Sequence, residues 1–250
     1  MKKLSNKHEF ALYWSNLSYA LEHDQQKLAL VDQLIVHRIF HVLRLQKGES
    51  IILFDQNKHA LCLIEEINKK NCILSIKSYL KNVTLDPSIS FLLPLLKREA
   101  LETLIYSLVE LGVNKIQLIK TAKTQRSWEN QADYERLQKI IIAASEQSKN
   151  YAFPNLYPPC TIEQAFEMLN PSAIKLYADP HGISLQELIA NLDKKRYPTV
   201  LMIGPEGDLN DEEKSLLRTQ HFTFCSLTPT ILRSIQAGAI LAGFIRSFYK

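Results

Sequence analysis

The sequence predicts a two-part chain, a small β-rich domain followed by a larger α/β domain built on a parallel sheet. Three observations predict it. Residues 50–79 hold short apolar, β-branched runs separated by polar turns; residues 82–88 form a polar stretch containing Asp86-Pro87; and from Ser90 to the C-terminus strand-like runs alternate with segments of helical periodicity. Repeated alternation calls for parallel strands with helices on both faces, because a parallel crossover needs a long connection and that connection is usually a helix. The polar stretch marks the boundary, which gives domains 1–82 and 83–250.

In the first domain Ser50–Phe54, Ala60–Ile67 and Cys72–Tyr79 read as strands, joined by turns at Asp55-Gln56-Asn57-Lys58 and Asn68-Lys69-Lys70-Asn71. A small barrel is the expected packing. In the second domain Ser90–Leu93 begins the sheet. Leu101, Leu104, Ile105, Leu108 and Leu111 then fall on one helical stripe that Gly112 closes as a C-cap. Lys115–Ile119 is the next strand, and Tyr134, Leu137, Ile140, Ile141 and Ala144 mark a second amphipathic helix. Thr161-x-x-Gln164 has capping-box form and opens a short helix. Strand Ile174–Ala178, a helix around Ser184–Asn191 and strand Thr199–Ile203 follow. Asn210-x-x-Glu213 begins another helix, Phe222–Leu227 reads as the last strand, and Ile231–Tyr249 closes the chain as a helix.

Composition narrows the function class. With 250 residues, 46% hydrophobic and 22% charged, the chain can build two cores. The apolar run Ala237–Ile245 is far short of the roughly 20 residues that cross a bilayer. The N-terminus starts basic but runs into His8-Glu9 with no apolar segment behind it, so a cytoplasmic protein with no membrane partner is expected. Cys62, Cys72, Cys160 and Cys225 are scattered, without Cys-x-x-Cys pairing or a nearby ligand-spaced His, and no metal is expected. A net charge of +4 fits an anionic partner without requiring one.

The second domain lacks Gly-x-Gly-x-x-Gly, the P-loop and Gly-x-Ser-x-Gly, which removes the commonest dinucleotide, phosphate and esterase readings. Ligands of open parallel sheets sit at the carboxyl ends of the strands. Three such ends are rich in Pro, Gly and small residues: Ala178-Asp179-Pro180-His181-Gly182, Gly204-Pro205-Glu206-Gly207 and Ser226-Leu227-Thr228-Pro229-Thr230. Each is a tight turn where a ligand could reach the main chain, and each could equally be a plain strand-to-helix turn.

The ordered series VLRLQKGESIILFD (Val42–Asp55), LKREALETLIYSLVELGVNKI (Leu96–Ile116), Gln125-Arg126-Ser127, AASEQS (Ala143–Ser148), IGPEGDLNDEE (Ile203–Glu213) and SLTPTILR (Ser226–Arg233) resembles the RsmE family across nearly the whole chain. That family comprises SPOUT-class methyltransferases acting on N3 of one uridine in small-subunit (16S) ribosomal RNA. The resemblance implies a PUA-like RNA-binding β-domain, then an α/β domain with a C-terminal trefoil knot. It also implies S-adenosylmethionine as methyl donor, a homodimer, and action within the assembled 30S particle.

Carried onto this chain, the donor would contact Ala178 and Asp179, then Ile203, Gly204 and Gly207, then Ser226, Leu227, Ile231 and Leu232. Arg233 matches the family's Arg after the third loop and is the expected cation for charge developing on uracil O2 and O4. Where the family commonly continues Arg-Thr-Glu-Thr-Ala, this chain reads Arg233-Ser234-Ile235-Gln236-Ala237. The acid is missing, and Gln236 can hydrogen-bond a uracil edge but cannot take its proton. Glu206 and His181 are lesser candidates for the base. Arg38, Arg44, Lys120, Lys123 and Arg126 are the expected phosphate contacts. Two alternatives stand beside this reading: a methyltransferase of the same fold with another RNA target, and a catalytically weakened RNA-binding ribosome-assembly protein.

Overall fold

Ala60, Cys62 and Ile64 are buried while their neighbours are not, the period-two signature of a strand covered on one face. That pattern organises the first of two units, 1–83 and 84–250, in this computed structural model, which describes residues 9–23, 26–124, 126–193 and 195–249. Gln125 and the basic start Lys7-His8 lie outside the described residues.

The first unit contains β1 (Phe10–Tyr13), α1 (Leu17–Glu22), β2 (Lys27–Leu30), α2 (Gln33–His37), a π-helical turn (Arg38–Val42), β3 (Ser50–Phe54), β4 (Lys58–Ile67) and β5 (Cys72–Lys81). Its strands order as β1-β3-β4-β5-β2, with β1 parallel to β3 and the remaining pairs antiparallel. Among the described residues the ladders run from β1 through β3, β4 and β5 to β2. The predicted turn between β3 and β4 is held by Asp55, whose carboxylate accepts from the backbone N–H groups of Ser18, Asn57 and Lys58 at 2.7–2.8 Å. Burial alone would raise that carboxyl; the hydrogen bonds outweigh it and hold it below its ordinary range. Leu12, Val36, Ile39, Ile51, Leu53 and Leu74 fill the core.

The second unit runs β6 (Ile89–Pro94), α3 (Arg98–Glu110), β7 (Lys115–Lys120), α4 (Asn130–Ser148), β8 (Asn155–Thr161), α5 (Ile162–Glu167), β9 (Ile174–Ser184), α6 (Leu185–Asn191), β10 (Thr199–Ile203), α7 (Asp211–Thr219), β11 (Thr223–Ser226) and α8 (Ser234–Phe248). Its six strands order as β11-β9-β10-β6-β7-β8, and every pairing is parallel. Strand alternation feeds two cores. Leu92, Val200 and Met202 face Ile162 and Ala165 of α5 and Leu217 of α7. Phe91, on the opposite face, meets Leu104 of α3 and Gly238 of α8. The predicted stripe on α3 is buried at Leu101, Leu104, Ile105 and Leu108, and Gly112 takes φ +71° just past its end. Both capping boxes form, Thr161 with Gln164 and Asn210 with Glu213.

Three elements differ from expectation, the first for a local reason. Pro158 and Pro159 hide β8 from a reading of the sequence, yet it lies at the sheet edge, where a missing N–H costs no ladder bond. The last helix starts at Ser234, leaving Ile231–Arg233 in the loop before it. β9 runs past its predicted end at Ala178 to Ser184 and pairs with β11 in two stretches, Tyr177 with Phe224 and then Ile183 with Cys225. Residues 178–182 therefore bulge out of that ladder.

Candidate functional site

The bulge delivers Ala178, Asp179, Pro180 and His181 to a cleft of about 910 Å³ at the carboxyl ends of the strands. Ile203 to Glu206 line it from the end of β10, and Ser226 to Thr228 with Thr230 to Ile235 from the segment that leaves β11 and enters α8. The three strand ends singled out in the sequence thus share one cavity. Opposite them stand Lys97, Glu99, Ala100 and Thr103 from the start of α3, which lie in the family-like stretch Leu96–Ile116 but are not among the expected site residues. They lie about a hundred positions from the loops they face, and only the β6–β10 pairing brings them there.

Two glycines are required by close approach. A Cβ at Gly182 would overlap the Phe224 carbonyl and the Cys225 nitrogen, so β11 could not pass beside the bulge. A Cβ at Gly204 would stand 2.7 Å from Asp208 Oδ1 and 3.0 Å from the Tyr177 hydroxyl. Those two groups belong to a charged network, two of whose members, Asp179 and Asp208, also line the cleft. Tyr177 donates to Asp208 Oδ1 at 2.8 Å, and the backbone N–H of Leu209 donates to the same oxygen at 2.8 Å. Lys214 of α7 lies 2.7 Å from Asp208 Oδ2 and donates to Asp179 Oδ2 at 2.9 Å. The other Asp179 oxygen accepts from the His181 N–H. Burial works against the charge on both Asp208 and Lys214, but their mutual hydrogen bonds prevail, lowering the carboxyl and raising the ammonium. Burial, then the bond to Asp208, pushes the Tyr177 hydroxyl far up, so it remains a donor. Burial and then Asp179 push the Cys225 thiol up to about 12, which rules it out as a nucleophile.

Glu206 accepts from the backbone N–H of Lys97 at 3.1 Å, capping the start of α3. Ser234 donates to the Gly204 carbonyl at 3.0 Å and fixes the start of α8 against the second loop. Glu213 accepts from the Ala122 N–H, and Lys123 donates to the Gly207 carbonyl at 2.6 Å, so the loop after β7 is tied to the same turn.

Of the expected donor contacts, Ala178, Asp179, Ile203, Gly204, Ser226, Leu227, Ile231 and Leu232 line the cleft, whereas Gly207 sits outside its lining. Arg233 lines it as the N-cap residue of α8; Gln236, one turn on and exposed, does not. Lys120 and Lys123 are exposed at and after the end of β7, and in the first unit Arg44 is exposed and Arg38 half-buried. Arg126 has a different environment from a phosphate contact: its guanidinium is largely buried and paired with the buried Asp133. Among the described residues no cluster of His, Cys, Asp and Glu is placed to hold a metal ion, and no helix is long and apolar enough to cross a membrane.

Residues 84–246 match the family model described as an RNA methyltransferase domain, and residues 36–77 match an RNA methyltransferase PUA domain. The chain belongs to this RNA methyltransferase family. Curated relatives include the ribosomal RNA small subunit methyltransferases E of Rickettsia conorii, 28% identical over 88% of this chain and 88% of the relative, and of Synechocystis, 29% identical over 86% and 71%. Among solved structures, the ribosomal RNA small subunit methyltransferase E of Neisseria gonorrhoeae shares the fold with a TM-score of 0.82 at 23% identity, covering 97% of this chain and 98% of that one. A Legionella pneumophila methyltransferase solved with bound SAM aligns with a TM-score of 0.80 at 25% identity over 96% and 98%.

Proposed function

We propose that this chain transfers a methyl group from S-adenosylmethionine to N3 of a uridine in small-subunit ribosomal RNA. One observation carries the reading: the three strand-end loops converge on a single cleft in a chain whose relatives, matched over most of their length, are named for methylating that RNA. The cleft fits the donor. Its volume lies in the range of small-ligand sites, roughly 300–1,000 Å³. Gly204 leaves the loop backbone open to close approach, and the wall combines apolar Ile203, Leu227 and Leu232 with polar main chain. In keeping with the family, we infer a knotted path for the C-terminal segment, a homodimer, and a cytoplasmic setting in which the 30S particle presents the RNA.

When bound, S-adenosylmethionine supplies an electrophilic methyl group on sulfur. The bond from N3 to carbon forms as the sulfur–carbon bond breaks, and the N3 proton has to leave to a base. Arg233, at the mouth of α8, faces the charge that builds on the uracil oxygens. Asp179 and Asp208 are committed to Lys214, and Glu206 caps Lys97. Among the described residues lining the cleft, this leaves the Glu99 carboxylate and the His181 ring, neither engaged by a hydrogen bond or ion pair, as proton acceptors. Mass-spectrometric mapping of small-subunit ribosomal RNA with and without the gene tests the reading. The expected result is loss of one N3-methyluridine, and an unchanged level refutes it. Loss of a different methylated nucleoside would instead support the same fold acting on another target.

A further inference from the structure

Asp208 occupies a backbone position that ordinarily selects glycine. Its φ is +56°, in the left-handed region where a Cβ crowds the following carbonyl. An aspartate is held there by its own side chain, which accepts from the Leu209 N–H and the Tyr177 hydroxyl through one oxygen and meets Lys214 through the other. Lys214 continues to Asp179, whose side chain is only 6% exposed. A single ammonium from α7, itself outside the cleft lining, thus joins the carboxylates of two loops that enter the cleft from neighbouring strands.

We propose that Lys214 is a positioning residue that clamps the first and second loops at the separation that admits the methyl donor. The proposal rests on the donor-binding reading above. Three features support it. Without the ammonium, two carboxylates would face each other across the loops, and their repulsion would drive the loops apart. The clamp touches the cleft floor directly, since Asp208 Oδ1 lies 2.7 Å from where a Gly204 Cβ would stand, so a shift in Asp208 is felt at Gly204. The network is also closed: among the described residues, the buried side-chain polar atoms without partners belong to Ser18, Arg126 and Arg246, none of which is in it. Hydrogen bonds to the buried Tyr177 and, through Lys214, to the buried Asp179 hold the half-exposed Asp208 in place, and a site held in place spares the ligand the cost of ordering it.

The test uses the full chain as wild type, Lys214→Met, Lys214→Arg and Asp208→Gly, with S-adenosylmethionine alone as the probe. Binding is read by titration calorimetry, and unfolding temperature is read with and without the donor. Lys214→Met and Asp208→Gly should weaken binding on the order of tenfold or more, the scale expected for losing charge-assisted hydrogen bonds. Lys214→Arg should recover part of the loss. Asp208→Gly is the decisive variant, because glycine takes φ +56° without steric cost and the loop can keep its shape while the clamp is gone. Its unfolding temperature without donor should fall by about 2–12 °C, because the buried Tyr177 hydroxyl loses its acceptor, while the protein stays folded and the donor-induced rise shrinks. In methyl transfer, the KM for the donor should rise with little change in kcat. Wild-type donor affinity in folded Asp208→Gly overturns the clamp, whether or not Lys214→Met folds. A wild-type chain that does not bind the donor overturns the donor reading and the clamp together.

Discussion

Replacing Gly204 with alanine adds one methyl group at the tightest point of the cleft floor. The backbone at Gly204 does not need glycine's conformational freedom, so the effect comes from space alone. The new Cβ would lie 2.7 Å from Asp208 Oδ1 and 3.0 Å from the Tyr177 hydroxyl, and atoms cannot remain that close. Asp208 cannot simply swing aside, because it holds Tyr177, the Leu209 N–H and Lys214 at once. If it moves, the hydroxyl of Tyr177, a residue with no exposed surface, loses its acceptor. An unsatisfied buried hydroxyl costs about 1–3 kcal/mol. For a domain of this size each kcal/mol lowers the unfolding temperature by roughly 2–4 °C, so a fall of about 2–12 °C is expected. Scanning calorimetry measures that fall, and titration with S-adenosylmethionine measures the accompanying loss of affinity. A Gly204→Ala protein with wild-type unfolding temperature and wild-type donor affinity would refute the packing described for the cleft floor.

Arg233→Ala should leave donor affinity unchanged and lower kcat by about 10²–10³-fold, the usual cost of removing a group that stabilises transition-state charge; single-turnover methyl transfer at saturating donor and RNA checks it. Arg126→Ala should cost about 3–5 kcal/mol because it strands the buried Asp133 carboxylate, and thermal unfolding reads the loss. The exposed Lys120 behaves differently: Lys120→Ala should keep full stability, weaken RNA binding at every salt concentration, and reduce the salt slope by about one. Gln236→Glu should change the transfer rate less than about threefold, since Gln236 lies outside the cleft lining and Glu99 and His181 already face it. A gain of tenfold or more would show that the proton acceptor had been missing.

Much of the fold could be read along the chain because its signals are local. Thr161 and Gln164, or Asn210 and Glu213, meet within one helical turn, so their capping boxes are visible as spacing and form as such. The α3 stripe and its closing Gly112 are likewise decided over a dozen residues. The three strand-end loops could be marked because turns demand particular residue types. What could not be read is what depends on pairing across the sheet. Lys97 and Glu99 face the loops only because β6 lies beside β10. Lys214 looks like an ordinary charge in a polar helix until Asp179 and Asp208 are placed on either side of it. Arg126 carries the same positive charge as Lys120, and only burial against Asp133 separates a structural ion pair from an exposed cation. The four-residue strands β1 and β2 and the proline-broken β8 are too short or too irregular for period alone to find.

The excursion of β9 between Tyr177 and Ile183 is tethered to β11 at both ends. The strand pairs with β11 before it and again after it, so the five residues between must return the chain on the correct face of the sheet. Adding or removing one residue has to be absorbed within the bulge, or Ile183 and Ser184 shift against Cys225 and Ser226, the two pairs that close it. An ordinary surface loop drifts in length because nothing beyond it counts residues. This one is held on both sides, so a change in its length is felt at the pairs that close it.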